Sequence, residues 1–218
     1  MDNTNNPHKS VANEIIQQIY PQIISKNYSK GQRYCISLAG ESGCGKTETS
    51  KALIAALASK GLKTLVLGQD NYFFLAPTQN DAMRKKDASW LGPHKEVDMQ
   101  QIDSILKKAK NGENTITTQH IEYSSNEITR QELNIEDINV IIAEGTYTSL
   151  LKNIDAKIFI DEDYHETLQY RKLRNRGNEV HDPFVEAVLE TEHKIIAGHK
   201  FLADFIINKD YTLTKNEL

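Results

Sequence analysis

The sequence contains few cysteines, and neither is placed as half of a structural disulfide. Cys35 lies in an apolar run and Cys44 in a glycine-rich loop, and they are the only two thiols in 218 residues. A chain without structural disulfides is typical of a reducing compartment, which indicates the cytoplasm. The sequence also lacks a run of ~18 apolar residues and a basic-then-apolar start, so neither a membrane span nor a signal peptide is predicted.

An excess of positive charge is also missing. The formal net charge is −4 at pH 7 and the sequence pI is about 6.0, whereas proteins that bind nucleic acids usually present a basic face. These values argue against nucleic acid as the main partner. A small phosphate-bearing ligand stays compatible with them, because a few cations and backbone amides are enough to hold phosphates.

The chain has no internal repeat and no linker rich in Pro, Gly or Ser, so residues 1–218 are predicted to form one domain behind a loose tail at 1–6. Apolar segments alternate with helix-forming segments along the chain. This alternation is typical of an α/β fold with a parallel sheet covered by helices on both faces. The five predicted core strands are residues 33–39, 63–67, 138–143, 156–160 and 203–207.

A hairpin insertion is predicted over about residues 112–131. Residues 114–123 alternate in polarity and are rich in Thr and Ile, which favours a strand. Its expected partner is the segment near Ile128.

An N-terminal amphipathic helix is predicted from isoleucines at helical spacing, and Pro21 is expected to kink or divide it. The stripe consists of Ile15, Ile16, Ile19 and Ile23. Two alternatives are open for this stripe. It packs on the domain itself, or it packs on a second subunit and so forms a homo-oligomer.

The run GESGCGKT follows the first predicted strand and matches G-x-x-x-x-G-K-[ST] in every specified position. Its glycines let backbone N–H groups turn toward phosphates, and the helix that follows adds its positive N-terminal end. Lys46 is the predicted contact of the β- and γ-phosphates, and the Thr47 hydroxyl is a predicted Mg²⁺ ligand. The predicted nucleotide-binding residues are Gly40, Glu41, Ser42, Gly43, Cys44, Gly45, Lys46 and Thr47.

Two acidic residues follow predicted strands at the point where each strand ends. Asp70 comes after LVLGQ, and Glu144 comes after VIIA. Because chemistry in open α/β sheets collects outside the carboxyl ends of the strands, we expect both carboxylates to converge on the glycine loop. A kinase needs one carboxylate for the proton of the acceptor hydroxyl and usually another to help hold Mg²⁺. Asp70 is therefore the predicted catalytic base, with a second candidate role in the metal shell, and Glu144 is the predicted metal ligand.

Three arginines, Arg171, Arg174 and Arg176, crowd the end of a predicted helix. Arginine suits the negative charge that spreads over the γ-phosphoryl oxygens, because its fork bonds two oxygens at once. A mobile lid would deliver such arginines and exclude water as it closes. We therefore predict a helical lid over about residues 165–182. Arg171 and Arg176 are the predicted catalytic arginines, Arg171 also contacts the acceptor, and Arg174 contacts the nucleotide.

Three functions compete on these residues. A small-molecule kinase would transfer the γ-phosphoryl group of ATP, with Mg²⁺, to a hydroxyl of a nucleoside, sugar or similar metabolite. A GTPase switch should show D-x-x-G and N-K-x-D, but no Asp has Gly three residues on, and Tyr211 occupies the last position of NKDY. A catalytically silent nucleotide-binding module is the third alternative, and the intact Asp70 and Glu144 argue against it. The kinase is the favoured function.

The order of these parts resembles the uridine kinase and phosphoribulokinase family of P-loop kinases. The matching segments are GESGCGKT, QDNYF at 69–73, IIAEG at 141–145, RKLRNRG at 171–177 and ADFIIN at 203–208. In uridine kinases the second segment reads QDSFY and its Asp is the catalytic base, while the Glu of the EG pair helps to bind Mg²⁺. The resemblance therefore implies the same roles for Asp70 and Glu144. It also matches Arg171 and Arg176 to the lid pattern R-D-x-x-x-R-G, with Lys172 in place of the Asp.

The resemblance is weaker on the acceptor side. The stretch SWLGPHKEVD places Gly92 where a ribose-binding Asp belongs, and YSSNEI keeps Tyr123 but holds Ser124 and Ile128 at the family's Asp and His positions. Phe73 stands where a Tyr would contact the base. The implied acceptor is the 5′-hydroxyl of uridine or cytidine, with a sugar, phosphosugar or hydroxy acid as the alternatives. The implied acceptor contacts are Asp70, Phe73, Tyr123 and Arg171.

Overall fold

The computed structural model describes residues 6–168 and 182–216 of the chain. In these ranges the helices are α1 (Pro7–Lys30), α2 (Lys46–Ala58), α3 (Pro77–Lys86), α4 (Met99–Lys110) and α5 (Pro183–Ile196). The strands are β1 (Tyr34–Gly40), β2 (Thr64–Gly68), β3 (Thr115–Glu122), β4 (Glu127–Asn134), β5 (Val140–Gly145), β6 (Ala156–Ile160), β7 (Phe205–Ile207) and β8 (Leu213–Lys215). None of the helices in the described ranges is long and apolar enough to cross a membrane.

The main sheet has six strands in the order β2-β5-β1-β6-β7-β8. The first five are parallel, and they correspond to the five predicted core strands. The sixth strand, β8, runs antiparallel to β7 and was not predicted, because its three residues, Leu-Thr-Lys, carry too short a pattern. The predicted α/β class with a parallel five-stranded core is confirmed.

Helices cover both faces of this sheet, as predicted. On one face Ile36, Leu38 and Val140 pack against α1 and α2. On the other face Cys35 and Ile141 pack against the apolar side of α4. Neighbouring residues of one strand point to opposite faces, so β1 and β5, which are buried on both faces, are apolar along almost their whole length.

The N-terminal isoleucine stripe packs on the domain itself, which is the first of the two alternatives that the sequence left open. Ile15, Ile16, Ile19 and Ile23 are all buried in the core beneath α2. Helix α1 begins after Asn6, whose side chain accepts a hydrogen bond from His8 N at 3.0 Å. It continues through Pro21 as one helix, so of the two predicted effects of that proline, a kink or a division, the division does not occur.

The strand register brings the predicted acidic residues to one edge of the sheet. Glu144 on β5 pairs with Leu38 on β1 and with Gly68 on β2. The glycine loop starts immediately after β1, and Asp70 lies two positions beyond Gly68 on a short 3-10 turn, Gln69–Asn71. The carboxyl ends of three neighbouring strands therefore meet around the glycine loop.

The hairpin forms as predicted, with β3 and β4 paired antiparallel and Ile121 opposite Ile128. It is fastened to the turn that carries Asp70. Gln119 Nε2 donates to the carbonyls of Asn71 and Phe73 at 2.8 and 3.0 Å, and Asn71 Oδ1 accepts from Ile121 N at 3.1 Å. The hairpin therefore supports one wall of the cleft at the sheet edge.

Candidate active site

The glycine loop adopts backbone conformations that favour glycine. Gly43 and Gly45 have φ values of 89° and 86°, in the left-handed region. A Cβ on Gly45 would lie 2.8 Å from His8 Cε1, because the ring of His8 packs directly beneath the loop. Nδ1 of that ring lies 2.9 Å from Thr49 Oγ1. Helix α1 therefore supports the loop from below.

Lys46 lies at the start of α2, where its ammonium group faces back over the loop. Its Nζ donates to Gly40 O at 2.8 Å and to Glu41 O at 2.7 Å. These bonds hold one positive charge beside the loop N–H groups and the N-terminal end of α2. A phosphate chain that enters the loop meets all three of these features together.

The side chain of Glu41 points away from the predicted phosphate position and joins the loop to its surroundings. This buried carboxylate accepts from Tyr164 N at 2.7 Å, and its other oxygen lies 2.6 Å from His193 Nδ1 on α5. Nearby, Thr167 Oγ1 donates to Ser42 O at 2.9 Å. The loop is thus connected both to α5 and to residues at the start of the predicted lid.

Thr47 and Glu144 are in direct contact. The Thr47 hydroxyl donates to Glu144 Oε1 at 3.1 Å. Mg²⁺ prefers oxygen ligands and is usually bound through one or two protein groups together with nucleotide phosphates, and this pair fits that pattern. Within residues 6–168 and 182–216, no three His, Cys, Asp or Glu side chains are grouped as a metal site on their own.

A cleft of about 480 Å³ opens beside the loop, and Lys46, Thr47, Asp70 and Glu144 all line it. Asp70 is exposed, and it lines the predicted acceptor side of the cleft with Phe73. The structure therefore brings together the predicted base, the predicted metal ligands and the predicted phosphate lysine. The remaining lining residues on the acceptor side include Asp81, Arg84, Lys85, Tyr123, Asp182, Phe184 and Glu192.

The sequence reasoning missed a buried network behind this acceptor wall. Glu96 is fully buried and accepts from Arg84 Nε at 2.7 Å, while its other oxygen accepts from Gly92 N at 3.1 Å. Asn80 Nδ2 donates to the same carboxylate at 3.4 Å, and Asn80 Oδ1 accepts from Trp90 Nε1 at 2.7 Å. The network fixes the guanidinium of Arg84 beside the ring of Phe73, 5.5 Å from its centroid.

Glu192, outside that network, is a further residue that the sequence reasoning missed. It extends an apolar stripe of α5 formed by Val185, Val188 and Leu189, and all four residues line the cleft. Burial raises the pKa of Glu192 to about 7, and the nearby charge of Arg84 opposes that rise. An acid at a core-facing position of a helical stripe was the signal in the sequence that could have found it.

Two of the predicted acceptor contacts are aromatic residues at the cleft. Phe73 and Tyr123 line the cleft, and Tyr123 is well exposed. Gly92, at the position of the family's ribose-binding Asp, lines a separate cavity with Ile195 and His199. The predicted lid arginines, Arg171, Arg174 and Arg176, lie outside the described residues.

A parallel sheet with a glycine loop after its central strand, and with acids at two strand ends, defines a P-loop kinase. The sequence model of the phosphoribulokinase / uridine kinase family matches residues 35–208, so the chain belongs to that family. Kinases of this family use ATP, usually with Mg²⁺.

A curated relative is the bifunctional α-galactosidase/sucrose kinase of Mediterraneibacter gnavus, which is 30% identical over 203 residues. The match covers 84% of this chain but only 22% of that relative, so the chain spans about a fifth of its length.

Solved structures of two other kinases share the fold. One, from Silicibacter sp. TM1040, is provisionally named a fructose transport system kinase; it is 19% identical with a TM-score of 0.64, over 85% of this chain and 94% of that one. The other is D-glycerate 3-kinase from Cryptococcus neoformans, which is 12% identical with a TM-score of 0.59, over 93% of this chain and 99% of that one.

Proposed function

We propose that the chain transfers the γ-phosphoryl group of ATP to a hydroxyl of a neutral sugar. The observation that carries this choice is the charge of the acceptor wall. Asp70, Asp81, Asp182 and Glu192 line it, together with two cations among the described residues, Arg84 and Lys85. Arg84 is paired with Glu96, and Lys85 Nζ lies 5.0 Å from the centre of the Phe184 ring. An acidic wall repels the phosphosugar and hydroxy-acid alternatives and offers hydrogen-bond acceptors to hydroxyl groups.

The proposed step uses the residues at the sheet edge. Asp70 accepts the proton of the acceptor hydroxyl, the hydroxyl oxygen bonds to the γ-phosphorus, and the bond from that phosphorus to the β–γ bridging oxygen breaks. Lys46 and the loop N–H groups bind the β- and γ-phosphates. Mg²⁺, held through Thr47 and Glu144, would neutralise charge on the same phosphates. Arg171, Arg174 and Arg176 are proposed to close over the phosphates as a lid.

The aromatic and apolar side chains on the proposed acceptor side also support a sugar as the acceptor. Phe73, Tyr123 and Phe184 offer aromatic surface, and α5 adds Val188. Such surface suits the apolar faces of a sugar ring, while the carboxylates suit its hydroxyls. The sucrose kinase activity in the name of the M. gnavus relative supports the same class of acceptor.

Uridine or cytidine, phosphorylated at the 5′-hydroxyl, is the second candidate. Phe73 and Tyr123 both line the cleft, and a pyrimidine ring could stack on either of them. The changed residues at the family's ribose-reading positions, Gly92 above all, count against this candidate.

A panel of acceptors tests the proposal. ADP release would be measured with glucose, fructose, sucrose, uridine, cytidine, a pentose phosphate and glycerate, and each product would be identified by mass spectrometry. We expect turnover of a neutral sugar that disappears in Lys46→Ala prepared in the same way. Turnover of a pyrimidine nucleoside alone would favour the second candidate, and turnover of the phosphosugar or glycerate alone would overturn both.

A further inference from the structure

Glu192 combines three features that do not occur together at any other described residue of the cleft. It lies on the cleft-facing stripe of α5, it is partly withdrawn from solvent, and its carboxyl group has no hydrogen-bond or ion-pair partner among the described residues. Because this carboxyl group lines the cleft and has no partner among the described residues, its oxygens can accept hydrogen bonds from a ligand that enters the cleft.

The charges around Glu192 indicate what kind of ligand completes it. The charges of Arg84 on α3 and Lys46 on α2 act on it, and so do the charges of the acids Glu96 and Asp70. Arg84 is committed to Glu96 at 2.7 Å and is not within ion-pair distance of Glu192. Two acids therefore oppose the two cations around Glu192, so an anionic acceptor group gains little there. A hydroxyl group, which donates a hydrogen bond without bringing charge, matches the site.

Helix α5 holds this carboxyl group in a fixed relation to the phosphate loop. The residue next to it, His193, contacts Glu41 of the loop at 2.6 Å, and Leu189 and Ile196 anchor the same helix in the core. An acceptor bound by Glu192 would therefore have a fixed position relative to the loop that holds the phosphoryl donor. This arrangement is what orientation of the two reactants requires.

We propose that Glu192 is a specificity-determining residue, which binds hydroxyl groups of the sugar acceptor in the cleft. The proposal rests on the proposed function, because it names how the same cleft recognises a sugar. It assigns Glu192 to binding and leaves proton transfer to Asp70.

The test compares Glu192→Gln and Glu192→Ala with wild type, using the best neutral sugar of the acceptor panel. We expect the KM for that sugar to rise at least ~10-fold, as loss of a charged hydrogen bond to a bound ligand does. We expect the KM for ATP to stay within about twofold, because the nucleotide is held by the loop. Glu190→Gln is the matched control, since Glu190 lies on the exposed side of the same helix and pairs with Lys194.

Each outcome decides between the two proposals. An unchanged sugar KM in both Glu192 variants, with the sugar still phosphorylated by wild type, overturns the role of Glu192 and leaves the proposed function intact. No phosphorylation of any neutral sugar by wild type overturns both. If Glu192→Ala melts below the assay temperature, Glu192→Gln and wild type are assayed at a lower temperature. Their KM values for the sugar are then compared in the same way.

Discussion

Nδ1 of His193 lies 2.6 Å from Oε1 of Glu41, and this contact joins helix α5 to the glycine loop across 152 positions of the sequence. The other oxygen of Glu41 accepts from Tyr164 N, so the carboxylate has a partner on each side. Its side chain is only 9% exposed. A buried carboxylate of this kind depends on its partners, because water cannot replace them.

Replacing His193 by Ala is therefore expected to weaken both the fold and the nucleotide site. Loss of one partner from the buried Glu41 should lower the free energy of unfolding by about 1–3 kcal/mol. The loop is expected to lose its fixed relation to α5, so the KM for ATP should rise. Urea unfolding and initial rates at varied ATP measure the two effects. His193→Gln, which keeps a donor, should lose less, and equal losses in the exposed His120→Ala would contradict the specific role of this contact.

Lys46→Ala and Asp70→Asn should each lower kcat by at least ~10²-fold, the usual size of electrostatic and acid–base contributions. The two variants should differ in ATP binding, because Lys46 is proposed to bind the phosphates and Asp70 is proposed to contact the acceptor. Calorimetry should show weaker ATP binding only in Lys46→Ala. Asp137→Asn is the control, since Asp137 is exposed and pairs with Lys63 at 3.0 Å. Full activity in Asp70→Asn would exclude it as the base.

The Mg²⁺ requirement of the reaction is expected to depend on Thr47 and Glu144. We expect a chelator to abolish turnover, and Glu144→Gln to raise the Mg²⁺ concentration for half-maximal rate by ~10-fold or more. Thr47→Val should act in the same direction, because it removes the hydroxyl that contacts Glu144. Titration of Mg²⁺ at fixed ATP measures this, with the exposed Glu132→Gln as control. An unchanged Mg²⁺ requirement in both variants would assign the metal to other groups.

The sequence predicted the parts of the site that depend on local pattern. The glycine loop, Asp70 and Glu144 could be placed because each follows a buried strand, and parallel strands end at one edge. In the structure Glu144 pairs with Leu38 and with Gly68, so the three strands do end at the same edge of the sheet. The apolar stripe of α1 followed from helical periodicity in the same way.

The contacts that were missed join residues far apart in the chain. No spacing in the sequence links His193 to Glu41. Arg84 reads in sequence as part of the basic run RKK, and only the fold brings it to the buried Glu96. Glu192 differs, since an acid within the stripe of α5 was visible as an exception to the pattern. Tertiary pairing of polar groups has no local period, so sequence reasoning reaches it only through such exceptions.

Gly145 should not tolerate a larger residue. A Cβ at this position would lie 2.3 Å from Gln69 Cβ, and Gln69 Oε1 accepts from Tyr147 N at 2.7 Å. Gly145→Ala is therefore expected to displace the turn that carries Asp70, with a loss of about 1–3 kcal/mol in stability and a fall in kcat. Gly198→Ala is the matched control, because nothing lies within 4 Å of its Cβ position. Equal melting temperatures and rates for both variants would contradict this packing argument.

Glu192 should also give the protein a pH-dependent stability that needs no acceptor to detect. Its pKa is raised from 4.5 to about 7 in the folded chain, mainly by burial, with Glu96 and Asp70 adding to the rise and Arg84 and Lys46 opposing it. Because the folded state then binds this proton more tightly than the unfolded chain does, the free energy of unfolding falls as the pH rises through that window. The fall stops above the folded pKa, where the group is ionised in both states.

Glu192→Gln removes this dependence. Between pH 5 and pH 8 its melting temperature should therefore rise relative to that of wild type, by roughly 2–4 °C for each kcal/mol of difference in the free energy of unfolding. Thermal melts at a series of pH values measure the gain. Glu190→Gln should show no such gain, since pairing with Lys194 lowers the pKa of Glu190 instead. Parallel curves for wild type and Glu192→Gln would mean that the carboxyl group is as well solvated in the folded chain as in the unfolded one.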